Sequence, residues 1–472
     1  MSRFVFFILL LIPWINQLFS QDNHYWSQQY GAVSSLMGGA MIAGVRDNSA
    51  SYYNPGAITF VEYPNISVDA NVYKLDKVYI NDGAGSGINL NSAQLNIYPQ
   101  IIGGMINYIK ITRLKISYSI LTRNFSNILM NARYTKSNAP ADGIGQKSYL
   151  GEFSYLNQLN EQWFGICLGY AVKDKLGIGV TLFGIYRGQT SGIKNNYREI
   201  TSSDSLASLA ISNYNGDIKY MTIRMLAKFG LAWETGRWRF GLSLTTPSFG
   251  IYGNGSVRRD EAFYDLGNHA GSQPTTHIIM AENTSTKASY HHPLSVGIGI
   301  EYRAPRTRIA ISAEYFSKIT AYYIMKPGSE AFVYPASIRD SSGMSSKIEE
   351  FLYTGVAAKP VLNVSLGLDQ SIGKKFNFLC GMRTDFTSYA STGFSNEFVT
   401  KTGNWDLYYV STGLSYHQAR QTMTIGFTYS FSPNVQIDPV QIVIPGDISG
   451  PKANAFAQSF GVVLGYTYYF PR

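Results

Sequence analysis

Charge is scarce in this chain of 472 residues: Lys, Arg, Asp and Glu together make up 15%, against about 25% in an ordinary soluble domain. Cysteine is nearly absent. The only two, Cys167 and Cys380, stand far apart inside strand-like segments, which argues against a disulfide framework and suits small apolar fillers. No Cys/His metal spacing occurs, so no metal or other cofactor is expected. No apolar run past residue 20 approaches the roughly 18 residues that a spanning helix needs. Aromatic residues, by contrast, reach 14%, with 35 Tyr, and Gly contributes 45 residues. That excess excludes a disordered chain, which is poor in aromatics and rich in charge. A large secreted β protein and a membrane β-barrel remain.

The N-terminus narrows the compartment. Arg3 precedes an apolar stretch at residues 4–15, and Leu18-Phe19-Ser20 ends it before Gln21-Asp22. This reads as a cleaved signal peptide over residues 1–20, too short for an anchor. No Cys follows the cleavage point, so a lipoprotein is not expected. The formal charge of +9 falls to +8 once Arg3 is removed. Lys and Arg are dispersed, with only Arg258-Arg259 and Lys374-Lys375 adjacent. A nucleic-acid partner is therefore not expected, whereas anionic membrane lipid is a natural counterpart.

Alternation is the strongest pattern. Met423, Ile425, Phe427, Tyr429 and Phe431 alternate with Thr, Gly and Ser, and Leu294 to Tyr302 and Phe460 to Phe470 repeat the scheme. Period two implies strands with unlike faces. The polar face carries mostly Gly, Ser and Thr rather than Lys and Glu, which suits a lumen better than bulk water. The segments come in pairs: 101–111 with 114–124, 161–172 with 175–187, 223–234 with 237–249, 293–303 with 307–318, 360–370 with 375–386, and 405–417 with 420–431. Connectors within pairs are of hairpin length. Those between pairs are long, at roughly 125–160, 188–222, 250–292, 319–359, 387–404 and 432–457. Unpaired strands at 65–74 and 458–470 raise twelve to fourteen. An even count with alternating short and long connectors indicates an all-β, fourteen-stranded antiparallel transmembrane barrel of outer-membrane type over residues 65–472. Short turns would face the periplasm, and seven loops, the first at 75–100, would face outward. Trp163, Trp233, Trp238, Trp405, Tyr302, Tyr315, Tyr468 and Phe470 fit interface girdles. Two loops suggest short helices: Asp204 would cap one bearing Leu206, Leu209 and Ala210, and Ser346 to Glu349 form a capping box before Phe351 and Leu352. Those apolar faces are expected to pack on neighbouring loops.

Residues 21–64 read differently: small residues from Gly31 to Gly44, then a polar stretch and an Asn54-Pro55-Gly56 turn. Such a lead suits a plug filling a barrel lumen. The run GAVSSLMGGAMIAGVRDNSASYYNPGAITF resembles the N-terminal hatch of the FadL family of outer-membrane transporters for long-chain fatty acids and aromatic hydrocarbons. Gly38, Gly39, Ala40, Asp47, Ala50, Tyr53, Asn54 and Pro55 carry the likeness, while Gly56-Ala57 reverses the usual order. The resemblance implies a fourteen-stranded barrel plugged by a hatch, with Gly38, Gly39, Asp47, Asn54, Pro55 and Gly56 forming the gate. In that family a kinked third strand opens a lateral exit; residues 114–124 contain no Gly or Pro, which argues against lateral release here.

No nucleophile or metal spacing surrounds the six His, so an enzyme is not expected; Ser415 and His417 lie along one strand, where neighbours point apart or stand too far away to act together. The polar strand faces carry Lys115, Arg224, Lys228, Glu301, Arg303, Glu314, Asp369, Arg383 and Asp385, expected to pair with one another. Arg224 or Arg383 would also suit a carboxylate headgroup. Phe183, Leu226, Leu379 and Val463 break the polar face and would line an apolar tail pocket. The chain is thus expected to be a passive outer-membrane channel for fatty-acid-like or aromatic molecules. The alternative is an interaction barrel that docks an exported protein or serves a secretion system. A continuous apolar cavity from loops to plug would favour the first, and a filled lumen with a broad loop surface the second.

Overall fold

The computed structural model describes residues 23–84, 87–106, 113–138, 146–203, 206–265, 276–328, 331–334, 350–394, 404–437 and 452–470. The expected signal peptide and the capping box at 346–349 lie outside them. Fourteen wall strands follow in chain order: β1 (Asn65–Asn81), β2 (Leu90–Ile106), β3 (Leu114–Asn138), β4 (Gln146–Lys173), β5 (Leu176–Ser203), β6 (Leu206–Thr235), β7 (Trp238–Thr245), β8 (Ser295–Arg303), β9 (Thr307–Phe316), β10 (Val361–Ile372), β11 (Phe376–Asp385), β12 (Leu407–Gln418), β13 (Gln421–Phe431) and β14 (Ala453–Tyr469). Each pairs antiparallel with its sequence neighbours. β14 closes on β1, from Asn65 opposite Tyr469 to Asn81 opposite Asn454. Closure gives every strand two neighbours, as a sheet in lipid requires. All fourteen expected strands are present in the expected order.

The wall is longer than the sequence suggested. β3 to β6 run 25, 28, 28 and 30 residues, well beyond the roughly 9–11 that cross a bilayer. Most of the connectors at 125–160 and 188–222 are therefore strand, and so is much of 250–292, as Phe249–Asp265 and Thr276–Lys287. Leu206, Leu209 and Ala210 belong to β6, not to a helix. Their short polar neighbours allow either shape, and pairing with β5 from Ser203 opposite Leu206 onward fixes the strand. Beyond the bilayer this collar holds its own apolar core, which includes Ile193, Tyr197, Ile218, Tyr220, Phe351 and Leu352. Phe351 and Leu352 thus pack inward, as expected.

Around the waist the outward face is apolar, with Phe164, Ile166, Leu182, Phe229, Ile298, Leu366 and Phe427 exposed. Trp233, Trp238 and Tyr315 are exposed as girdle residues should be. Two of the expected girdle residues are not. Trp163 is 1% exposed and points into the lumen, and Trp405 is buried in the collar core.

One stretch of wall lacks its ladder. β2 and β3 pair only at residues 101–106 against 116–121, while residues 90–100 pair with β1 alone. Two sequence features coincide there. Pro99 has no N–H to donate, and a bulge at Arg123 shifts β3 between Thr122 and Asn124. Above the break the two strands meet through side chains. Tyr98 stacks on Phe125 at 5.0 Å, Asn127 Nδ2 donates to Gln94 Oε1 at 3.5 Å, and the Leu129 N–H donates to Ser92 Oγ at 3.2 Å. Residues 114–124 contain no Gly or Pro, and β3 runs through them as one strand. The ladder to β2 fails beside a bulge in β3 and a proline on its neighbour.

Candidate functional site: the plugged lumen

Residues 23–61 are buried within the lumen, folded as two short helices, α1 (Ala32–Leu36) and α2 (Ala50–Tyr53), and a 3₁₀ turn at Pro55–Phe60. The glycine-rich inward face of the wall now has a physical reason. A methyl group added at Gly381 would collide with Met37 and Gly38, at Gly241 with Ile42, at Gly299 with Ala43, and at Gly177 with Gly56. The plug backbone lies directly on the wall backbone, and only glycine permits that approach.

Of the expected gate residues, Gly38, Asn54, Pro55 and Gly56 sit against the wall, while Gly39 and Asp47 make their contacts within the plug. Gly38 has φ +65°, and a side chain there would stand 2.8 Å from the Met382 N and O atoms. Gly39, with φ +79°, packs on Gln29. The Asp47 carboxylate accepts from the Ser49 N–H at 2.8 Å and from the Ser49 hydroxyl, fixing the turn before α2. Burial raises its pKa above the ordinary 3.8, against the lowering by Ser49 and Arg308. Asn54 donates to the Ile42 carbonyl at 2.8 Å and to the Leu231 carbonyl at 2.9 Å, tying plug to wall. Its Oδ1 accepts from the Gly56 N–H and caps the turn that Pro55 opens. A Cβ on Gly56 would lie 2.7 Å from the carbonyls of both Gly177 and Gly230. At the turn side of the plug, Arg46 pairs with Glu234, which also meets Arg239 at 2.9 Å. Arg239 continues to Glu301 at 2.6 Å, and Arg308 bridges Glu301 and Asp369. Sequence reading singled out Glu301 and Asp369 but missed Arg46 and Glu234, which sit at the plug's centre and at a strand end.

Above the plug lies a layer of rings and charges. Glu161 accepts from Arg187 at 3.0 Å, from Arg224 at 2.8 Å and from the Trp163 indole at 2.8 Å. One carboxylate therefore holds two guanidinium groups, and both stand over the Tyr290 ring at 3.9 and 4.9 Å. Arg224 is 1% exposed, yet its Nε and Nη1 have no hydrogen-bond partner. Trp163 packs against Phe183 at 5.1 Å and His292 at 5.3 Å. Burial pushes His292 down to about 3, so it is neutral. Lys228 meets Glu314 at 3.6 Å.

Three of the five expected ligand residues come together: Phe183 stands opposite Leu226 across β5 and β6, and Arg224 is the next inward residue. The other two lie on β11. Leu379 is buried in the same apolar cluster around the plug as Phe183 and Leu226. Arg383 donates to the Trp26 carbonyl at 3.1 Å and stacks on Tyr409 at 3.7 Å, so it holds the plug. Glu161, Arg187 and Tyr290 were missed because they lie at or beyond the edges of the segments assigned to strand. Ser415 and His417 bond to different partners, Thr424 at 2.6 Å and Thr422 at 3.0 Å. The lumen next to the plug is largely filled. Between residues 23–28 and β1, β3 and β12 to β14 lies a cavity of about 140 Å³ lined largely by polar groups, among them Gln28, Lys74, Asp76 and Asn124. No continuous apolar channel from collar to plug is present among the described residues, so the cavity expected of an axial transporter is not found, and a transport route has to leave the lumen through the wall.

A closed antiparallel barrel of fourteen strands, girdled by apolar residues and filled by its own N-terminal segment, defines a plugged transmembrane barrel of outer-membrane type. No protein-family model and no curated protein sequence matches the chain. Solved structures do. A FadL homologue of Pseudomonas aeruginosa matches with TM-score 0.53 and 13% identity, over 94% of this chain and 98% of that one. The toluene transporter TbuX of Ralstonia pickettii matches with TM-score 0.55 and 11% identity, over 94% and 99%. The toluene transporter TodX of Pseudomonas putida matches with TM-score 0.51 and 12% identity, over 96% and 100%. The fold is the FadL-type fold.

Proposed function

We propose that this protein is an outer-membrane channel for passive uptake of hydrophobic small molecules, delivered sideways through the seam between β2 and β3. The observation that carries the reading is the missing ladder. Phe125, Ser126 and Asn127 line the lumenal cavity on one side and a groove on the outer wall on the other, so only side chains separate lumen from lipid at that point. A hydrophobic molecule gains by leaving there, because the bilayer is its lowest free-energy neighbour. The toluene transporters among the structural neighbours support the ligand class. The half-paired Arg224 supports an acidic headgroup on part of that class: two guanidinium groups facing one carboxylate leave a positive excess, and a guanidinium binds carboxylate bidentately.

The test bridges Gln94→Cys and Asn127→Cys with a short bismaleimide in a Cys380→Ser background. Uptake of labelled fatty acid by whole cells should fall to the level of cells lacking the protein, and the unbridged double variant should retain it. Undiminished uptake after bridging would overturn the lateral route. Arg224→Ala should lower uptake of a fatty acid about tenfold while leaving toluene within about twofold, since a charge-assisted hydrogen bond contributes about 1.5–3 kcal/mol.

A further inference from the structure

The outer wall carries a cavity of about 640 Å³ that the lateral route does not use beyond its edge. The strand registers lay out its lining. Asn127, Gln158, Thr190, Lys219 and Ser256 stand opposite one another in one row across β3, β4, β5, β6 and the strand Phe249–Asp265. Phe125, Asn160, Gly188, Met221 and Asn254 form the next row toward the turns. Alternation points both rows outward, since Leu159, Gln189 and Tyr220 between them are buried. Tyr186, Ile223 and Tyr252 stand in one row that borders the groove on the turn side, and beyond it comes the apolar band with the exposed Leu182 and Phe229. The groove thus lies where the wall changes from apolar to polar. Gly188 makes the recess: a methyl there would come within 3.1 Å of the Tyr186 hydroxyl, so any larger side chain would fill it.

The chemistry of the two borders is unlike. On the turn side are Phe125, Tyr186, Met221 and Tyr252, with the amides of Asn160 and Asn254 among them. On the loop side are two amides, two hydroxyls and the Lys219 ammonium. No carboxylate lines the cavity, and Lys219 forms no salt bridge with any described residue. What covers an outward face at this height in a membrane barrel is lipid. A surface with rings below, hydrogen-bonding groups above and one unpaired cation matches a phospholipid at the junction of chain and headgroup. The volume falls within the range of sites that enclose a headgroup-sized molecule.

We infer that this groove is a specific site for one phosphate-bearing anionic lipid of the leaflet on the loop side, its phosphate on Lys219 and the amide row and its upper chain over Tyr186 and Met221. The site lies beside the seam at Phe125 and Asn127, so the bound lipid is the first molecule that emerging cargo would meet.

The test uses the full chain in detergent, equilibrated with mixed vesicles of phosphatidylglycerol and phosphatidylcholine and weighed intact by native mass spectrometry. The wild type should keep one phosphatidylglycerol with roughly fivefold preference, the value of a single interfacial lysine. Lys219→Gln should bring that preference to parity. Gly188→Trp should remove the retained lipid while heat-modifiable mobility shows the barrel folded. If Gly188→Trp does not fold, Lys219→Gln decides alone. A preference that survives Lys219→Gln, retention equal in all three proteins, or displacement of the lipid by added fatty acid at stoichiometric level would overturn the site. None of these readings depends on uptake, so they stand or fall apart from the transport assignment.

Discussion

Phe427 and Thr428 are neighbours in β13, yet one meets lipid and the other the lumen. Phe427 is 49% exposed in the apolar band, while Thr428 borders a small polar cavity with Gln28, Lys74 and Arg383. Phe427→Arg should cost about 2–4 kcal/mol of folding free energy in lipid vesicles, and Thr428→Arg much less. Equal costs would mean that the register is wrong. At this scale much was legible in the sequence. The alternating faces placed Phe427 and Thr428 correctly, and the run from Gly38 to Gly56 marked the plug. Trp163 was misplaced, because an aromatic near a strand end looks the same whether it faces lipid or lumen. Only its partner across the lumen, the plug's Tyr52, distinguishes the two. Arg383 was assigned to cargo for the same reason: a lumenal arginine is visible in the alternation, but the Trp26 carbonyl that occupies it is not.

The plug as an element is held by backbone proximity, by buried polar contacts and by large buried side chains such as Leu36, Met37, Met41 and Ile58. Its Asp47 gives it a pH dependence. Burial raises this carboxyl in the docked plug, with Arg308 of β9 and Asp69 of β1 as the charged groups that couple to it. An acid with a raised docked pKa stabilises docking when protonated. That contribution is complete below the ordinary 3.8 and is lost as pH rises through the docked value. Leak events in single-channel records should therefore grow more frequent as pH rises above the ordinary carboxyl range, and Asp47→Asn, which keeps an acceptor for Ser49, should flatten the profile. A wild-type profile that is flat, or that rises toward acid, would show that Asp47 does not bias docking. The seam was not legible as an element. Strand prediction searched β3 for glycine or proline, whereas the ladder fails through a bulge at Arg123 and through Pro99 on β2, two features that mean nothing until the strands are paired. The long collar was hidden too, since its polar, loop-like composition becomes strand only through pairing from β3 to β6.

At the scale of the whole molecule, a lumen without a continuous apolar channel and a wall with one unladdered seam divide the work. On the proposed function the plug would keep ions and polar solutes out, and the seam would pass what dissolves in lipid. The two tasks separate in one measurement: reconstituted vesicles in which ion conductance and entry of a labelled hydrophobic solute are recorded together, for the intact chain and for a chain lacking residues 24–50. The intact protein should carry the hydrophobic solute with no energy source and no rise in ion conductance. The shortened one, still a folded barrel, should become ion-conducting. Solute entry that always accompanies ion current, or that begins only when residues 24–50 are gone, would contradict lateral delivery past a closed plug.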